Sequence, residues 1–164
     1  MPAMRTQRSV LWIASGYVVL AFPLGAQSLM TNGQLAHWAV LTGALYMAGV
    51  WVISHGMAQR YSGAAHPRLA LVIAGVTLAL LYYFSQVSDQ LWLRILILNV
   101  AMLLLRALPV RSIFRAPAVK SGVERILWAC YLALLVNAVV RTGVVMYLLP
   151  VQSVEDLTQS GLWL

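Results

Sequence analysis

The run VLWIASGYVVLAFPLGAQSLM, residues 10–30, decides the class of fold. It carries no charge, and its length meets the roughly 20 mostly apolar residues that a helix needs to cross the hydrocarbon core of a bilayer. Working outward, four more stretches read the same way: 35–58, 69–86, 90–110 and 126–149. Their apolar residues are continuous rather than alternating, which favours helices over strands. The breaks between them are turn chemistry: Thr31-Asn32-Gly33, Ser62-Gly63 with Pro67, Ser85 to Asp89, and Pro109 to Gly122. Pro150 ends the fifth stretch, where a helix loses a backbone donor. The sequence thus predicts an all-α, polytopic membrane helical bundle with five full spans, forming a single integral membrane domain over residues 1–164.

Composition supports this reading. The chain is 62% hydrophobic and 9% charged, against about 45–50% and about 25% for an ordinary soluble domain. So few polar residues cannot cover the outside of a soluble protein of this size. A soluble enzyme, a secreted disulfide scaffold and a disordered tail are excluded. The single cysteine, Cys130, lies in an apolar run and reads as a small buried hydrophobe.

The net charge of +7 records orientation. Arg5 and Arg8 precede the first span, Arg60 and Arg68 separate the second from the third, and Arg106, Arg111, Arg115, Lys120 and Arg125 lie between the fourth and fifth. In a five-span layout these fall on one side, while Asp89, Glu155 and Asp156 fall on the other. By the positive-inside rule the N-terminus is cytoplasmic, in an inner (plasma) membrane. No nucleic-acid partner is needed to explain the basic excess. Two alternatives stay open at the ends. The basic start, the apolar run and Ala26 also resemble a secretory signal peptide. Ser160 to Leu164 reads as the start of a sixth span, or as a short amphipathic anchor on the outer face.

Ionisable and amide groups within the spans are the candidate functional residues. Arg94 sits about 6 Å inside the outer end of the fourth span, and Arg141 about 12 Å inside that of the fifth, at 1.5 Å per residue. Arg94 can snorkel outward toward Asp89, whereas Arg141 should face protein or a water-filled cavity. Asn137 lies four residues before Arg141, on one stripe with Cys130, Leu134, Val144 and Leu148. Asn99 falls near the middle of its own span. The expected cluster is Asn99, Asn137 and Arg141, with Arg94 and Asp89 nearer the surface. It reads either as an outward pocket for a small anionic ligand or as interhelical glue with one paired arginine.

His37, His55 and His66 are too widely spaced for a helical metal pair, so neither metal nor cofactor is expected. Gly43, Ala44, Ala48 and Gly49 make the second span suited to close helix packing, with Ala44 and Ala48 in small-xxx-small spacing, which raises a homodimer as a hypothesis. The basic, proline-containing loop from Ala107 to Glu124 is expected to attract anionic lipid. No phosphate-binding glycine loop, zinc-protease helix, nucleophile elbow or CxxC is present, and all four acids lie at or beyond helix ends.

The stretch Tyr82-Tyr83-Phe84 through Asp89-Gln90-Leu91-Trp92-Leu93-Arg94-Ile95, the basic loop after it, the helix from Glu124-Arg125 through Arg141, and the Ser160-Gly161-Leu162-Trp163 ending resemble the N-terminal multi-span sensor region of bacterial GGDEF diguanylate cyclases. The resemblance implies a last span leading into a cytoplasmic catalytic domain. The GGDEF motif itself is absent from these residues, so no catalytic residue is carried over. Only Arg94 and Arg141 match the pattern. The expected function is a membrane sensory and anchoring module that regulates a cytoplasmic output. The alternative is a small transporter or permease-like subunit with its polar cluster on a substrate path. A structural assembly protein is a third option.

Overall fold

A computed structural model describes residues 2–30, 34, 37–61, 66–87, 91–110 and 122–148. Among them stand five long helices and no strand: α1 (Pro2–Leu29), α2 (Ala39–Arg60), α3 (Pro67–Gln86), α4 (Leu91–Ala107) and α5 (Gly122–Leu148). Four of these, α1, α2, α3 and α5, are long and apolar enough to cross a membrane. The fourth expected span is shorter than its apolar run suggested. Helix α4 has 17 residues, about 25 Å at 1.5 Å per residue, against a hydrocarbon core of about 30 Å. The described helix gives way to a turn at Leu108 and Pro109, where a proline cannot continue the donor ladder. The expected start of a sixth span, 160–164, and the end of the fifth beyond Leu148 lie outside the described residues.

The helix ends follow local chemistry. Proline opens α3 at its first turn, where the missing N–H costs nothing. The preceding His66 takes a left-handed conformation with φ 41°. Inside α1, Pro23 leaves the helix unbroken and is fully buried.

Helix α2 is the centre of the bundle. Of its apolar window 44% is buried, against 11–17% for the other three spanning helices. One side packs on α1 along a seam of small residues. Ser9, Gly16 and Pro23 are buried at seven-residue intervals on α1, and Thr42, Gly49 and Gly56 at the same intervals on α2. A Cβ built on Gly16 would stand 2.9 Å from the Gly49 carbonyl oxygen, and one on Gly56 would stand 3.0 Å from that of Ser9. This antiparallel register also sets Pro23 level with Thr42. A seven-residue repeat keeps two helices in register along one face, and small residues let their backbones approach. The seam is therefore not Ala44 with Ala48: Ala48 is exposed, and Gly43 faces Leu81 of α3 and Leu98 of α4 instead.

Two apolar clusters hold the rest. Met47 and Val50 of α2 join Ala70 of α3 and Ala101 and Leu105 of α4. Met57 of α2 and Tyr131 of α5 gather Ile13, Tyr61, Val110, Leu127 and Trp128. The second cluster joins the start of α1, the end of α2 and the start of α5. All helices therefore alternate in direction, with one basic end holding Arg8, Arg60, Arg68 and Arg125. The outward faces of α1, α3 and α5 expose Leu11, Phe22, Leu71, Val72, Val136 and Val140. Lipid is the solvent such a surface requires.

Candidate functional site: a polar cleft between the first and last helices

Arg106 is the next-to-last residue of α4. Its carbonyl is one of the last four of that helix, which have no partner within it. The Tyr131 hydroxyl, beside Ser54 of α2, donates to that carbonyl. The side chain of Arg106 takes a different course from the one its position in the sequence suggests. Helical side chains lean toward the N-terminus of their helix. At the C-terminal end of α4 this lean carries the guanidinium away from the basic end and into the bundle. There its Nη1 donates to the Leu134 carbonyl at 3.5 Å. Leu134 lies halfway along the apolar window of α5, Arg125–Val144. Arg106 thus reaches alongside an apolar stretch of α5, whereas its place in the sequence assigned it to the basic loop.

Around it is a small cavity of about 50 Å³, lined by Tyr17 and Leu20 of α1, Val50 and Ile53 of α2, Arg106, and Tyr131 and Leu134 of α5. That is room for a water or two, or for a small polar head. Tyr17 is 52% exposed and Leu134 38% exposed, so the cleft opens sideways between α1 and α5. Toward the other end of the bundle, the Tyr46 hydroxyl of α2 donates to Oε1 of Gln27 on α1 at 2.8 Å. The Arg141 guanidinium is within electrostatic reach of both the Tyr46 phenol and Arg106. A charged side chain, Arg106, thus lines the cavity.

The sequence-derived candidates are distributed as follows. Arg141 is exposed on α5 and is not among the residues lining the cavity at Arg106. Asn137 is exposed, further round α5 from its buried stripe of Tyr131, Ala138 and Thr142. Asn99 is buried on α4, and its Nδ2 donates to the carbonyl of Ile95 on its own helix at 2.8 Å. The expected cluster of Asn99, Asn137 and Arg141 is thus not assembled, because the two amides face different surroundings. Arg94 is not snorkelled to the surface: it is 7% exposed, on the same stripe of α4 as Leu98, Ala101 and Leu105. Asp89 lies outside the described residues. Cys130 is exposed rather than buried.

The histidines stand apart. His55 sits between Trp12, at 4.9 Å and nearly perpendicular, and Trp51, at 5.3 Å, and its Nε2 pairs with Gln59 Nε2 at 2.8 Å. His37 lies edge-on to Trp38. His66 is exposed at the start of α3.

The residues missed from the sequence are Arg106, Tyr131, Tyr17 and the Gln27–Tyr46 pair. One signal was available for Arg106. Near the C-terminal end of a helix, the backward lean of side chains aims a long cation into the membrane. Searches against protein-family models, curated proteins and solved structures return no match to this chain.

Proposed function

We propose that this chain is a sensory and anchoring module of the inner membrane that regulates a cytoplasmic signalling output, such as a diguanylate cyclase domain. The observation that carries the reading is the charged cleft at Arg106. It touches α1, α2, α4 and α5 together, so a ligand there acts on the mutual packing of four helices. A ligand shifts helix packing only by binding two arrangements unequally, and a charge at a helix junction supplies such a difference. In this reading the basic end is cytoplasmic by the positive-inside rule, and α4 crosses as a short span. The loop around residues 107–124 meets anionic lipid, and Ser160 to Leu164 opens a sixth crossing that returns the chain to the cytoplasm. A transport path asks for more room than the roughly 50 Å³ at Arg106 provides.

The test is the reading frame beyond Leu164 together with its output. Continuation through a further span into a GGDEF or kinase domain, with an output altered by Arg106→Ala or Arg141→Ala, supports the proposal. A stop codon at that point, or an output and ligand response left intact by both substitutions, overturns it.

A further inference from the structure

The Arg106 guanidinium lies where charge is expensive. It reaches the middle of the apolar window of α5. An arginine near the centre of a membrane span is costly unless protein, water or a ligand takes up its charge. The neighbours described around it are carbonyl and phenol oxygens, from Leu134, Tyr131 and Tyr17. A guanidinium that lines a cavity attracts an anion into it.

The shape of the cleft says how that anion arrives. The cavity is small, and its mouth is lateral, flanked by the exposed Tyr17 on α1 and by Leu134 on α5. The wall beside the mouth is apolar: Leu20, Val50, Ile53 and Leu134. A head of two or three oxygens fits the polar floor, while an apolar chain attached to it stays in the bilayer. We infer that the cleft at Arg106 binds an amphiphilic monoanion, a carboxylate or phosphate head on an apolar chain, taken up sideways from the membrane. The Arg106 guanidinium pairs with the head, and the Tyr17 hydroxyl donates to it at the mouth. This inference rests on the proposed function only in taking the cleft as the responsive site. Binding by the purified chain needs no output domain, so the two readings fail separately.

The experiment measures equilibrium binding to the full chain in a neutral detergent, with oleate and dioleoyl phosphatidic acid as probes and methyl oleate as the uncharged control. The expected result is saturable binding of a single molecule per chain for at least one anionic probe, and none for methyl oleate. Oleate alone names a free fatty acid as the source, phosphatidic acid alone a phospholipid, and both the shared chemistry. Arg106→Gln should weaken binding about tenfold or more, the loss of one charge-assisted contact, and Arg106→Lys should restore most of it. Arg125→Gln, at the basic end, should leave it unchanged. Should Arg106→Gln fail to fold, Tyr17→Phe decides: a several-fold loss supports the site. Absence of saturable binding for both anions, equal binding of methyl oleate, or unchanged affinity in a folded Arg106→Gln or Tyr17→Phe protein overturns it. Binding that survives while the output ignores the probe leaves this site standing and removes the sensory reading.

Discussion

The Tyr131 hydroxyl closes the end of α4 by donating to the main-chain carbonyl of Arg106. One side-chain bond thus satisfies an orphan helix carbonyl and ties α5 to α4 across the cleft. Tyr131→Phe removes the donor and keeps the ring within the cluster around Met57. Because the carbonyl is left buried without that donor, we expect a loss of about 1 kcal/mol. A thermal melt in detergent, followed by circular dichroism, should show the lower midpoint with the helical content of the folded state preserved.

The fold was legible to the extent that it depends on composition along the chain. The apolar runs marked all five helices, and α3 was placed within two residues at its start because Pro67 fixes it. The seam of Ser9, Gly16 and Pro23 against Thr42, Gly49 and Gly56 was not legible. A seven-residue spacing in one helix means little until the register of its partner is known, and the nearby Ala44 and Ala48 fit the same small-residue pattern. The site was harder still. Arg141 stood out as a charge in an apolar run. Arg106 did not, because it lies near a loop that already explained its charge, and only the direction of its side chain carries it into the bundle.

The glycines of that seam make a contrast that composition could not. At Gly16 a methyl group would meet Ile53 Cγ1 at 2.5 Å and the Gly49 carbonyl oxygen at 2.9 Å, and backbone cannot yield as a side chain does. Nothing lies within 4 Å of one on Gly75 in α3. Gly16→Ala should therefore destabilise the bundle by about 1–3 kcal/mol through overpacking. Gly75→Ala should stabilise it by up to about 1 kcal/mol through helix propensity. Paired melts of the two variants check the opposite signs; a matching fall in both would show that the α1–α2 approach is looser than described.

Asn99 supplies a control for the idea of interhelical glue. Its amide bonds to Ile95 of its own helix, so replacing it with a residue of similar volume breaks no hydrogen bond between helices among the described residues. Asn99→Leu should change stability by less than the average of about 0.6 kcal/mol measured for interhelical bonds in membranes. A loss well above that in the same melts would reveal a partner on another helix.

The cleft itself carries the sharpest expectation, because structural and functional roles predict opposite signs. A buried charge held for packing destabilises a protein when it is removed. A charge kept for binding and desolvated costs stability in the empty site. Its replacement by a well-packed apolar residue should then stabilise the fold. Arg106 donates to Leu134 over 3.5 Å, a long bond, and lines a cavity, which places it in the second class. Arg106→Met should raise the melting temperature in neutral detergent while abolishing binding of the anionic probes, a trade of function for stability. The same comparison repeated with a saturating anionic probe should narrow the gap, since a ligand stabilises only the protein able to bind it. A lower melting temperature for Arg106→Met in the absence of any anion would instead make Arg106 a structural brace between α4 and α5.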